Sequence, residues 1–221
     1  MSIRKIPFIK GEYYHIYNRG NSKQVIFRDK DDYVRFLGLL FVCNSSDNFK
    51  IDNINKSKSL FDILCGNQIV HIGAYCLMPN HFHLLITDNG EGNISKFMQK
   101  LTTAYVMYFN KKYQRPGSLF EGKFKAEHAN TDIYLKYLFS YIHLNPVKLV
   151  ESKWKEKGIQ NKSKVLEFLK QYVYSSYLDY MGKERIEKSI LNISVFPDYF
   201  PSKKDFQGEI FEWISYDGQL R

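Results

Sequence analysis

Met78-Pro79-Asn80-His81-Phe82-His83-Leu84-Leu85 is the stretch on which the fold turns. Pro79-Asn80 has the chemistry of the two central residues of a tight turn, proline presetting φ and asparagine tolerating unusual backbone. Beyond it, the aromatic and branched run over residues 81–86 reads as a strand; before it, residues 69–77 read as another. The two are expected to pair as a hairpin. Side chains alternate faces along a strand, so His81 and His83 point the same way, with Leu85 beside them. Two convergent imidazoles suit a divalent metal when a third ligand comes from elsewhere. The plain alternative is a half-buried, hydrogen-bonded pair.

Working outward, residues 12–18 read as a first strand, broken by Asn18-Arg19-Gly20-Asn21-Ser22. Asp29 offers an N-cap, and Tyr33, Phe36, Leu37, Leu40 and Phe41 behind it follow the i, i+3, i+4, i+7, i+8 spacing of an amphipathic helix. Residues 44–67 are polar and irregular and read as a surface insertion with one helical turn near Leu60. Asn93 is expected to cap a second helix whose buried stripe is Ile94, Phe97, Met98, Leu101, Tyr105 and Tyr108. A basic loop over 111–117 leads to a fourth strand over 119–127. Thr131 or Asp132 then opens a third helix that ends at Asn145-Pro146. This order predicts an α+β, ferredoxin-like sandwich, with the third helix extra to it. Residues 1–150 read as one domain and 151–221 as a C-terminal extension packed on it. In that extension Phe211-Glu212-Trp213-Ile214 reads as a short strand or helix.

The 221 residues carry a net charge of +9, which favours a polyanionic partner. The excess is uneven: residues 1–28 hold six basic side chains against one acidic, whereas residues 179–221 hold six against eight. Three cysteines without C-x-x-C spacing point to reduced thiols rather than a disulfide framework or a zinc site. No apolar run has the length of a membrane span, and Met1-Ser2-Ile3-Arg4-Lys5-Ile6-Pro7 lacks the apolar core of a signal peptide. A cytoplasmic protein without a membrane partner is expected.

At about 100° per residue, Leu135, Leu138, Phe139 and Ile142 of the third helix form one stripe and Tyr134, Tyr137, Tyr141 and Asn145 a second. Tyr141 and Asn145, at i and i+4, are neighbours on that second face. A phenol with a pKa near 10 is a poor nucleophile unless its target is polarised, which bound Mg²⁺ or Mn²⁺ does for a phosphate oxygen. Attack by tyrosine gives a protein–phosphate ester and a freed sugar hydroxyl, conserving the bond energy for rejoining. The rival readings are ordinary. Tyr141 is a rim aromatic like Tyr134 and Tyr137, and Asn145 is an N-cap before Pro146, pushed out of helical geometry by the proline. His143 points roughly 160° from Tyr141 and is not expected to ligate. His15, His71 and His128 read as structural or DNA-contacting.

The run from Met78 to Leu85, followed by Tyr141-Ile142-His143-Leu144-Asn145-Pro146-Val147, resembles the single-tyrosine transposases of the His-hydrophobe-His superfamily, and within them the REP-associated (repetitive extragenic palindrome) branch. Tyr14-His15-Ile16-Tyr17-Asn18-Arg19-Gly20 and the segment Gly117-Ser118-Leu119-Phe120-Glu121-Gly122-Lys123-Phe124-Lys125 are similar to it as well. The likeness covers about residues 8–180. It implies a metal-dependent endonuclease and strand transferase acting on single-stranded, hairpin-containing DNA. By that resemblance His81 and His83 are metal ligands, Tyr141 is the nucleophile and Asn145 the third ligand, where better-known insertion-sequence members carry glutamine. Mg²⁺ or Mn²⁺ is the implied cofactor, and a monomer or homodimer the implied assembly. Arg19, Arg115, Lys123 and Lys125 lie within the matched blocks and are expected to contact DNA phosphates. Two other readings stay open: a non-catalytic nucleic-acid-binding module on a ferredoxin-like body, and a metal phosphodiesterase that uses water.

Overall fold

The computed structural model describes residues 7–47 and 59–215. Four antiparallel strands, β1 (Tyr13–Arg19), β2 (Val70–Met78), β3 (His81–Asp88) and β4 (Lys125–His128), form one sheet in the order β2-β3-β1-β4. Helices α1 (Lys30–Val42) and α2 (Asn93–Lys112) complete a β-α-β-β-α-β core. The α+β, ferredoxin-like expectation therefore holds. The hairpin closes as the sequence predicts, with Met78 opposite His81 and only Pro79 and Asn80 between them.

The sheet is buried on both faces because its sequence alternates two kinds of apolar residue. Tyr14, Ile16, Phe82, Leu84 and Ile86 face α1 and α2 in the larger core. On the opposite face Cys76, Met78 and Leu85 meet Leu135, Leu138, Phe139 and Ile142 of α3 (Asp132–Leu144). Burying each such side chain is worth roughly 1.5–3 kcal/mol, so the α3 stripe is what holds that helix across the second face. A bulge at Gly73 lets β2 serve both cores: Ile72 pairs with Ile86, but Ala74 pairs with Leu85. The side-chain parity flips there, sending Val70 and Ile72 to one face and Ala74 and Cys76 to the other. A Cβ on Gly73 would lie 2.8 Å from the Phe196 ring, so any side chain there must displace its surroundings.

Several boundaries differ from expectation for local reasons. The fourth strand is limited to four residues. Phe120 makes a lone bridge to Gly20, and Gly122, with φ of 72°, carries the chain off the ladder before it rejoins at Lys125. Asn93 is the first residue of α2 and makes no cap. The Asp88 carboxylate at the end of β3 accepts from Gly90 N (3.0 Å) and Ile94 N (3.4 Å) instead. In α2 the buried position goes to Phe109, while the half-buried Tyr108 donates to Asp32 of α1. Asp29 caps α1 as predicted, and Thr131 caps α3.

Of the segment 44–67, residues 48–58 lie outside the described residues. Its described ends are anchored. Asn44 donates to Val70 O and accepts from Ile69 N and Val70 N, and a short 3₁₀ turn at Leu60–Asp62 packs Leu60 against Gly38.

After α3 the chain continues through a 3₁₀ turn (Asn145–Leu149) and helices α4 (Trp154–Lys157), α5 (Lys162–Gln171), α6 (Tyr177–Tyr180) and α7 (Lys203–Ser215). Leu144, Val147, Trp154, Val165, Leu169, Tyr177, Phe206 and Ile210 share a third apolar cluster. Phe211 to Ile214 thus belong to α7. Tyr174 O accepts from Leu77 N, and Ser176 N donates to Tyr75 O, so this run covers the outer edge of β2.

Candidate active site

The strand register assembles the site on the α3 face. One rung of the sheet reads Arg19–His81–Met78, the next Lys125–Tyr17–His83–Cys76, and the third Glu127–His15–Leu85–Ala74. Side chains opposite one another in antiparallel strands share a face. His15 therefore joins Tyr17, His81 and His83, an assignment that needs the strand order and is invisible in linear spacing.

The turn that precedes β3 is pinned from outside. Pro79 O accepts from Ile26 N and Phe27 N, and Asn80 O accepts from Gly20 N. Asn80 also donates its amide to Lys23 O at 3.2 Å, which settles its orientation: Oδ1 faces His81 Nδ1 at 2.6 Å. An acceptor at that distance requires the proton on Nδ1, leaving Nε2 of His81 with a free lone pair.

His83 reaches the same state by another route. Its Nδ1 lies 2.8 Å from His15 Nε2, and His15 Nδ1 lies 3.7 Å from Glu127 Oε2. At 3.7 Å the second contact is electrostatic rather than a hydrogen bond. A carboxylate there favours the His15 proton on Nδ1, so His15 Nε2 accepts from His83 Nδ1 and the His83 lone pair is again on Nε2. Glu127 is held ionised, its pKa lowered to about 2 by His15 and by hydrogen bonds from Tyr17 (2.8 Å) and Tyr134 (3.1 Å) against the cost of burial. Burial, with the charges of Lys148, Arg19 and Lys155, pushes His81 down to about 4; burial pushes His83 well below its ordinary value. Both imidazoles are neutral at pH 7, the form a metal requires.

The rings of His81 and His83 are 5.0 Å apart and nearly perpendicular. Tyr141 presents its edge to His83 and to His15, each at 5.7 Å. A cavity of about 330 Å³ opens among His15, Tyr17, His83, Glu127, Tyr137 and Tyr141. Burial raises the Tyr141 pKa, and the Asn145 carboxamide partly offsets this.

Asn145 does not cap. It keeps helical angles (φ −53°, ψ −39°), and the chain runs on into the 3₁₀ turn with Pro146 at its start, where proline needs no donor. Its Nδ2 donates to Tyr141 O at 2.8 Å, so its Oδ1 is not spent on a backbone N–H of a new helix. Among the described residues no group of three His, Cys, Asp or Glu side chains is arranged to hold a metal. A third protein ligand beside the two histidines would thus be of another type, such as a carboxamide. The donor set fits a divalent cation: two neutral imidazoles with free Nε2 atoms, each held by a hydrogen bond through its other nitrogen.

The four predicted DNA contacts are placed differently. Arg19 is paired with Glu121 through Nε (2.9 Å) and Nη2 (2.6 Å). Arg115 folds back, donating to Ser118 O and stacking over Phe109. Lys123 and Lys125 are exposed, and Lys125 shares the rung of Tyr17 and His83. His143 is fully buried and bonded to Ser176 Oγ at 2.7 Å, away from the site as expected. His128 pairs with Glu12. The linear reading missed Glu127 and Lys155, whose ammonium lies 4.1 Å over the Tyr141 ring.

No curated protein matches the chain. One solved structure, described as the REP-associated tyrosine transposase bound to a REP hairpin, is similar in 85% of this chain and 90% of its own, with 13% identity and a TM-score of 0.48. The family model described as "Transposase IS200 like" matches residues 10–145, well over half of the sequence. The chain belongs to the IS200-like transposase family.

Proposed function

We propose that this transposase cleaves and rejoins single-stranded, hairpin-containing DNA through a covalent bond to Tyr141. The observation that carries the reading is the pair of free Nε2 lone pairs on His81 and His83, fixed by Asn80 and His15, with the Tyr141 ring beside His83. The two histidines and Asn145 would hold Mg²⁺ or Mn²⁺. When bound, such an ion polarises a phosphate oxygen and offsets the negative charge that develops on it.

The chain's own residues supply the rest. Tyr141 Oη attacks phosphorus, an oxygen–phosphorus bond to the sugar breaks, and the sugar leaves as a hydroxyl. The α3 stripe buried on the sheet sets where that phenol stands, and the Nδ2 bond of Asn145 to Tyr141 O ties the end of the helix. Tyr17 and Tyr134 hold Glu127, which orients His15 and through it His83. Lys123, Lys125, Arg19 and Arg115 would meet the DNA backbone, positioning it without reading sequence. In this reading residues 1–150 are the catalytic unit, residues 151–221 an extension on it, and the protein acts in the cytoplasm.

The test is incubation with single-stranded DNA from the gene's own flanks, with and without Mn²⁺, followed by a denaturing gel. A metal-dependent protein–DNA band supports the reading. Binding without such a band supports the non-catalytic module, and cleavage that leaves free phosphate ends supports a water-using phosphodiesterase.

A further inference from the structure

Lys155 lies outside the residues matched by the family model and comes from the extension. Its position is built in. Trp154, the preceding residue, is buried in the third apolar cluster with Leu144 and Val147, which follow Tyr141 on the same stretch of chain. That anchor turns the neighbouring lysine back over α3, where its Nζ stands 4.1 Å from the centre of the Tyr141 ring. Among the described residues it makes no ion pair. Burial, with the charge of Lys148, lowers its pKa to about 8. The field of the same ammonium reaches both histidines, and those of Lys148 and Arg19 reach His81. A partly buried cation without a carboxylate is costly unless an anion completes it. Tyr141's π-face is only a partial substitute. The mouth of the site thus concentrates positive charge beside the nucleophile, with an anion's place left open.

We propose that Lys155 is a further catalytic residue, whose ammonium takes a non-bridging oxygen of the scissile phosphate as Tyr141 attacks. This rests on the tyrosine reading above. The bond from Tyr141 Oη to phosphorus forms, and the bond from phosphorus to the leaving sugar oxygen breaks. That oxygen keeps the electron pair and takes a proton from water, while the phenol proton passes to solvent. Lys155 remains protonated throughout and supplies charge alone. Its preference for the transition state over the bound substrate comes from the negative charge that grows on the phosphoryl oxygens.

The experiment compares full-length wild type with Lys155→Ala, Lys155→Met and Lys155→Arg on a hairpin oligonucleotide from the gene's flanks in Mn²⁺. Single-turnover adduct formation and DNA affinity are both measured. Removing one such charge contact is expected to slow adduct formation about 100-fold in the Ala and Met variants. Met keeps the apolar stem, and Arg keeps the charge and should restore the rate to within about tenfold of wild type. DNA affinity should fall far less than the rate, by under about tenfold in Ala and Met, because the phosphate is already charged when bound and the contact only tightens further in the transition state. Unchanged rates in Ala and Met overturn the proposal and leave the tyrosine mechanism standing. Equal losses in all three variants mark a packing role and overturn it, as does a rate loss matched by lost affinity. No adduct with wild type overturns both readings together.

Discussion

His83 Nδ1 and His15 Nε2 lie 2.8 Å apart on neighbouring strands, with their ring planes only 19° from parallel. The bond leaves one nitrogen of His83 facing the site and fixes which one. An imidazole held this way loses little freedom when it takes up a cation, and a carboxylate behind it raises its basicity.

His15→Phe keeps a ring of similar shape and removes the acceptor. Mn²⁺ affinity should fall about 10–100-fold, the usual cost of losing such a partner, as read by calorimetry on the free protein. Hairpin DNA affinity without metal should stay within about threefold. An unchanged Mn²⁺ affinity would remove His15 from the ligand-orienting role.

Asn145 offers a sharper comparison, because its Nδ2 supports Tyr141 O while its Oδ1 is the candidate ligand. Asn145→Ala should lose the metal-supported rate by about 100-fold and about 1 kcal/mol of stability from the lost hydrogen bond. Asn145→Gln, which keeps the carboxamide, should retain adduct formation to within about tenfold. Equal rates for Ala and wild type would exclude Asn145 as a ligand.

His143 makes stability depend on pH. Burial lowers its pKa to about 3, so the folded imidazole stays neutral while the unfolded one takes a proton near its ordinary value of 6.5. Between those values the unfolded state binds more protons, and stability falls as pH falls. This one group should remove about 2 kcal/mol between pH 6.5 and 5. His81 and His83, also depressed, act in the same direction. Urea unfolding of His143→Gln at pH 7 and 5 should show a smaller drop than wild type, by about that amount; an identical drop would contradict the assignment.

Gly73→Val tests the bulge. Its side chain would meet the Phe196 ring at 2.8 Å and force either the ring or the β2 register to move. A loss of about 2–3 kcal/mol is expected from overpacking, measured by thermal or urea unfolding. Gly73→Val with wild-type stability would show that the bulge tolerates a side chain.

The hairpin, the α1 and α3 caps and the Tyr141–Asn145 neighbourhood were legible because each depends on residues within a turn or two of one another. The bulge was not: residues 69–77 read as one continuous strand, and the ring that crowds Gly73 at the bulge, Phe196, comes more than a hundred residues later. Glu127 and the role of His15 were hidden for a related reason. They meet His83 only because β1 lies between β3 and β4. Lys155 carried no periodic signal, and its place over Tyr141 depends on the burial of Trp154. The rival reading of Asn145 as an N-cap fails for a local reason: the rule that proline disfavours a preceding helical residue yields here to a 3₁₀ continuation packed by Leu144 and Val147.

The proposed phosphotyrosine at position 141 can be read out by mass spectrometry of the Mn²⁺-dependent product on a flanking hairpin oligonucleotide. A nucleotide adduct is expected on the peptide containing Tyr141 and none in Tyr141→Phe, whose DNA affinity stays within about threefold of wild type because the ring is retained. Cleavage by Tyr141→Phe, or an adduct on any other residue, would contradict it.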